Sequence, residues 1–241
     1  MAGVLPPPRV PIFNYFGEYV VFNSPGKLLP HQMDALQSLQ HWFNNNPFQT
    51  ALTAMPTGSG KTGVICCLPY FLGALKDMSG GYYFLINKPI LVISPNLEIA
   101  SQLERQILIS SDDPEANFIY SRSAIMPRDR PDALPEGVKI EETNELNNPF
   151  YLQTNDIIIA NAQKFLSGQW ERALGDDLFY MVIVDEAHHF PAPAWLRIMN
   201  KFSGHALIAF FTAKSFRTDH QPVVFGPLAY RLTLDDARRQ L

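Results

Sequence analysis

Thr50-Ala51-Leu52-Thr53-Ala54-Met55-Pro56-Thr57-Gly58-Ser59-Gly60-Lys61-Thr62-Gly63-Val64-Ile65-Cys66-Cys67-Leu68 is an apolar run, a turn of small residues and a second apolar run. It reads as strand, glycine-rich turn and helix, the arrangement that cradles a nucleotide phosphate. Glycines let successive backbone N–H groups converge on one oxyanion, and a helix starting near Lys61 adds the positive end of its dipole. The Lys61 ammonium reaches β- and γ-phosphates, and the Thr62 hydroxyl ligates Mg²⁺. Pro56, Thr57, Gly58, Ser59, Gly60, Lys61 and Thr62 are therefore the expected phosphate-binding residues. The strict pattern has Gly where Met55 stands, a position at the mouth of the turn.

A second anchor lies downstream in Val182-Ile183-Val184-Asp185-Glu186-Ala187-His188-His189. An apolar strand ends there in two adjacent acids. Asp185 is placed to bind Mg²⁺, directly or through water, and Glu186 to orient and deprotonate an attacking water.

The rest of the chain supplies a scaffold for these two stretches. Pro30 opens a helical pattern in which Met33, Leu36, Leu39, Trp42 and Phe43 recur on one face, and Asn44-Asn45-Asn46-Pro47 ends it. The helix after the glycine turn is expected to run to about Lys76, with Gly80-Gly81 as its breaker. Buried-strand runs stand at Pro89–Ile93, Asp156–Ala160, Tyr180–Val184 and Ala206–Phe211, with a weaker one at Asn117–Tyr120. A helix is expected from Asn96 to Ile109. Continuous β-branched strands alternating with helices give a parallel sheet covered on both faces, with ligands beyond the strands' carboxyl ends.

The chain has 241 residues, 46% of them hydrophobic and 17% charged, which suits one large α/β domain with a sizeable core. No apolar run reaches the roughly 18 residues that span a bilayer, so no membrane partner is expected. Met1–Pro8 carries neither a basic segment nor a long apolar one, and an intracellular location, cytoplasmic or nuclear, is expected. The two cysteines, Cys66 and Cys67, are adjacent in an apolar helix and read as buried thiols. No Cys or His cluster has metal-ligand spacing. The net charge of −4 gives no overall basic character, so any nucleic-acid surface is local. Arg197, Lys201, Lys214 and Arg217 form either such a basic edge or an ordinary exposed helix and loop.

Gly-Ser-Gly-Lys-Thr together with Asp-Glu-Ala-His resembles the superfamily 2 helicases and translocases of the DEAH-box kind. Within them the chain is most similar to the helicase subunit of type III restriction enzymes, from Asp-Glu-Ala-His-His-Phe through Phe216-Arg217-Thr218-Asp219. The resemblance implies an α/β fold of the RecA-like, P-loop type, ATP and Mg²⁺ as cofactors, and ATP hydrolysis coupled to movement on DNA or RNA. It implies a catalytic group of Lys61, Asp185, Glu186 and His188. Gln32, in Leu29-Pro30-His31-Gln32, matches a glutamine that reads adenine, and also suits the exposed face of its helix. Pro95 and Asn96, in Ile93-Ser94-Pro95-Asn96, and Asn161 and Gln163, in Ile159-Ala160-Asn161-Ala162-Gln163, match segments that touch the nucleic-acid phosphate backbone. Asn96 and Asn161 are equally suited to capping helices. Thr212 and Ala213 match a coupling motif, and His188 either links the acid strand to it or is a core histidine.

This chain departs from the family pattern in two places. The family reads Thr-Ala-Thr-Pro where Thr212-Ala213-Lys214-Ser215 stands, which puts coupling in question. The sequence also ends at Leu241, where family motors continue into a second RecA-like domain, in cis or in trans, that completes the catalytic site. The expected organisation is an extended lead-in over 1–28, an ATP-binding RecA-like domain over 29–221 with a surface insertion at 121–150, and a run-in to the second domain over 222–241. The alternative is a truncated or regulatory module that binds ATP or nucleic acid without catalysis.

Overall fold

Apolar strand segments that alternate with helices place seven strands side by side in a single sheet in this computed structural model. It describes residues 28–47, 49–72, 75–76, 82–83, 88–107, 137–189, 192–213 and 226–240. Helix α1 (Pro30–Asn45) leads into β1 (Thr50–Ala54), the glycine turn and α2 (Lys61–Leu72). A small antiparallel pair, β2 (Leu75–Lys76) and β3 (Tyr82–Tyr83), follows. Then come β4 (Ile90–Ser94), α3 (Leu97–Ile107), β5 (Gly137–Lys139), α4 (Thr143–Leu146), α5 (Pro149–Gln153) and β6 (Ile157–Asn161). The remaining elements are α6 (Gln169–Ala173), β7 (Met181–Val184), α7 (Ala192–Phe202), β8 (Leu207–Thr212), β9 (Leu228–Arg231) and α8 (Leu234–Gln240).

The strand order is β5-β6-β4-β7-β8-β1-β9, and every pairing is parallel. Alternate residues of each strand feed two separate cores, because successive side chains leave opposite faces of a sheet. Ala51, Val92, Ile159, Ile183 and Phe211 face one core with α1, α2 and α3. Leu52, Ile93, Ile158, Val184 and Phe210 face the other, where Trp170, Phe179 and Phe202 pack as an aromatic cluster with centroid separations of 5.3 to 5.9 Å. With helices on both faces this is a RecA-like α/β fold, and its parallel sheet has both sides dry as the apolar strands require.

Three elements differ from the sequence reading. Helix α2 stops at Leu72, and Leu75–Lys76 is strand, not helix. The stretch expected as a surface insertion is described from Gly137 on, and there it carries the edge strand β5 and the short helices α4 and α5. Lys139 fastens that edge to α3 through Glu104 at 2.7 Å and Ser101 at 3.1 Å. The segment expected to run out of the domain instead closes the opposite edge: β9 pairs with β1, and Leu232 and Ala237 are buried in the core of α1 and α2. The weak strand at 117–120, the lead-in over 1–27, Arg217 and the Lys214-Ser215 departure lie outside the described residues.

Candidate nucleotide-binding site

The glycine turn hangs from the carboxyl end of β1 and feeds α2. Gly58 and Gly60 both take left-handed backbone, with φ of +81° and +78°, which side chains resist. Ser59 closes the turn on itself, its Oγ donating to the Pro56 carbonyl at 2.7 Å. Thr57 and Gly58 are exposed, Pro56, Gly60 and Thr62 half-buried, and Ser59 and Lys61 buried.

The acid pair ends β7, and β8 lies between it and β1, so the two anchors are next-nearest neighbours. They stand roughly 9.5 Å apart by strand spacing, a gap that long side chains close. The Lys61 ammonium forms an ion pair with Glu186 across the end of β8. Thr212, the last residue of β8, ties both sides together. Its carbonyl accepts the Met55 N–H at 2.9 Å, and its hydroxyl shares a hydrogen bond of 2.9 Å with His188 Nδ1. His188 Nδ1 also lies 3.4 Å from Glu186 Oε2. The expected link from the acid strand to the β8 motif is thus present in geometry, with Ala213 just beyond it and half-buried.

Asp185 is buried, and its Oδ1 accepts the Glu186 N–H at 2.8 Å. Burial, followed by the charge of Glu186, pushes its carboxyl up to about 6, while Lys61 and the backbone hydrogen bond pull the other way. Glu186 sits at φ +46°, a left-handed conformation that turns its side chain back toward Lys61. Its Oε2 is buried without a hydrogen-bond partner.

The start of α1 reaches the same turn. The Gln32 Nε2 amide donates to the Gly60 carbonyl at 2.9 Å, and its Oε1 accepts the Leu29 N–H at 2.8 Å. Gln32 is buried, not on the exposed face of its helix. His31, fully buried beside it, contacts the Ser59 carbonyl through Nε2 at 2.8 Å. Sequence reasoning did not single out His31, because nothing in its type or spacing marks a loop contact.

Asn96 and Asn161 both act as caps: their Oδ1 atoms accept from Ile99 N–H at 2.9 Å and Gln163 N–H at 3.0 Å. Their segments follow adjacent strands, since Ser94 pairs with Asn161 in the β4–β6 register. Asn96 and Gln163 are exposed, Pro95 half-buried and Asn161 buried. Of the four basic residues read either as a basic edge or as an ordinary exposed helix and loop, Arg197 is engaged by Glu171 at 3.5 Å and Lys201 by Asp176 at 2.5 Å. No helix among the described residues is long and apolar enough to cross a membrane.

A parallel sheet with a glycine cradle after one strand and paired acids after the next but one is the arrangement of P-loop folds. Residues 26–216 match the family described as Type III restriction enzyme, res subunit, and the chain belongs to that family. Solved structures share its fold, two of them as follows. The Pyrococcus furiosus Hef helicase domain superposes at a TM-score of 0.52 with 16% identity, over 88% of this chain and 42% of that one. The yeast DEAD-box splicing factor Prp28 gives 0.52 and 16%, over 84% of this chain and 44% of that one. The chain thus spans less than half the length of either. No curated protein matches by sequence.

Proposed function

We propose that the chain is the ATP-binding half of a nucleic-acid-dependent ATPase motor, a helicase or translocase that couples hydrolysis to movement on DNA or RNA. The observation that carries this reading is the meeting of Lys61 and Glu186 over the end of β8, beside a cradle that only glycines form. The donor set fits a magnesium triphosphate. Asp185 is buried at the end of its strand, Glu186 Oε2 lacks a hydrogen-bond partner, and Thr62 stands in the first turn of the helix beside them. Thr62 and Asp185 would hold Mg²⁺, which would supply positive charge against the negative charge developing on phosphate. One protein carboxylate plus a hydroxyl suits a metal that keeps most of its shell in water and phosphate.

In this reading the nucleotide takes Lys61 away from Glu186. The ammonium moves to phosphate, and the released carboxylate becomes the base that orients and deprotonates water. His188 and Thr212 hold Glu186 in register with β8 and carry its state to Ala213 and beyond. Gln32 keeps one Nε2–H for an adenine nitrogen. Pro95, Asn96, Asn161 and Gln163 offer small polar groups at adjacent strand ends, suited to phosphate-backbone contact without sequence reading. A second RecA-like domain, in cis or in trans, supplies the cations that stabilise transition-state charge.

Two variants test the assignment by calorimetric titration of ATP with Mg²⁺ and by phosphate release. Lys61→Ala loses nucleotide binding. Glu186→Gln retains or tightens binding, because it frees Lys61, and lowers turnover by about 10²-fold or more, the scale of a positioned base. Unchanged binding by Lys61→Ala overturns the assignment.

A further inference from the structure

We infer that His31 is a positioning residue for the phosphate cradle, acting with Gln32 as a two-point clamp that fixes the direction of the amides meeting the nucleotide. The inference rests on the nucleotide-binding reading above. The two side chains grip consecutive peptide units: His31 Nε2 holds the Ser59 carbonyl at 2.8 Å and Gln32 Nε2 holds the Gly60 carbonyl at 2.9 Å. In a planar trans peptide the N–H points opposite to the C=O of the same unit. Anchoring the Ser59 carbonyl on α1 therefore aims the Gly60 N–H away from α1, and anchoring the Gly60 carbonyl does the same for the Lys61 N–H. The Gly60 carbonyl also accepts the Gly63 N–H at 2.9 Å, which joins the clamp to the first turn of α2. A carbonyl oxygen only accepts, so His31 Nε2 carries the proton.

The local sequence makes room for this arrangement. A Cβ on Gly60 would lie 2.3 Å from Gln32 Nε2, and one on Gly63 would lie 2.9 Å from it. Both glycines thus admit the clamp, and at Gly60 the left-handed backbone independently demands glycine. His31 is fully buried and Gln32 nearly so, which keeps water from competing for either carbonyl. At Gly60 flexibility is needed to reach the cradle conformation, and the clamp removes that flexibility once the conformation is reached. A pre-set cradle spends less binding energy on ordering.

The test uses the whole chain with His31→Phe, which keeps a buried ring but no donor, and His31→Gln, whose amide nitrogen reaches about as far as Nε2. Binding of ATP–Mg²⁺ and of inorganic tripolyphosphate–Mg²⁺ is measured by calorimetry, and hydrogen exchange of the Gly60 and Lys61 amides without ligand. His31→Phe is expected to weaken both ligands by about tenfold, the scale of one lost hydrogen bond, and to speed exchange of those two amides by a similar factor. His31→Gln is expected to restore both readouts, which a loss of packing alone would not allow. Equal binding and exchange in His31→Phe and the parent overturn the clamp while leaving the nucleotide site standing. So does failure of His31→Gln to recover either readout, including the case where His31→Phe does not fold. A parent that binds neither ligand overturns the nucleotide site itself.

Discussion

Asp185 is the residue where the site's demand conflicts most directly with folding. Its carboxyl stands at about 6 in the fold, raised chiefly by burial, against an ordinary value of 3.8. Between these values the folded protein holds the proton more tightly than the unfolded chain, so stability falls as pH rises from about 4 to 6. Above pH 6 the full cost remains, at most about 3 kcal/mol for a shift of about two units. Asp185→Asn is therefore expected to melt a few degrees above the parent at pH 7.5, with the gap closing toward pH 4. Addition of ATP and Mg²⁺ should raise the melting temperature of the parent and not of this variant. Equal melting of both proteins at pH 7.5 without ligand would contradict the burial cost. The placement of the candidate residues in the fold was legible in the sequence, because type and spacing spell it: Lys61 and Thr62 open the helix after the glycine turn, and Asp185 and Glu186 follow β7. Gln32 was singled out in the sequence, but its grip on the Gly60 carbonyl was not legible, because that bond depends on where α1 docks. His31 was invisible for the same reason.

Among the elements, those with long apolar runs were read closely. Helix α1 was placed almost to the residue by its apolar face and its terminal asparagines. Strands β1, β4, β6, β7 and β8 fall within a residue or two of expectation. The edge strands were missed. β5 has three residues, all half-buried, and β9 has four, exposed at both ends and half-buried in the middle, so neither carries a buried run. An edge strand needs only one neighbour and buries less, and its sequence shows correspondingly less. β9 nevertheless has a strict entry. Gly226 sits at φ +135°, and a Cβ there would lie 2.1 Å from Thr50 Oγ1 and 3.0 Å from Thr50 Cβ. Gly226→Ala is expected to cost about 1–3 kcal/mol, read as a lower urea midpoint, because the backbone strain and the clash fall together. An unchanged midpoint would show that the β9 entry is not constrained.

For the molecule as a whole, the two cores on either side of the sheet imply a single cooperative unit, and the cysteines report on it. Cys66 and Cys67 lie in the middle of α2 and are buried. Burial pushes the Cys67 thiol up to about 12 and Cys66 well above its usual value. Alkylation requires an exposed thiolate, so in the native state labelling is expected to await global opening. ATP–Mg²⁺ at about 100 times its dissociation constant should then slow labelling by about 100-fold, since it binds only the folded form. Labelling that ignores the ligand would show that α2 opens independently of the site.

Thr212 carries a mechanical consequence of the strand order. Because β8 separates the two anchors, its last residue touches both at once, through its backbone on the Met55 side and its side chain on the His188 side. A shift of this one strand tip, of the kind a docking neighbour would impose, must tug the root of the cradle and the histidine behind the base together. In the proposed function, binding and bond cleavage are thus geared to the same small lever, and neither is adjusted from that direction without disturbing the other.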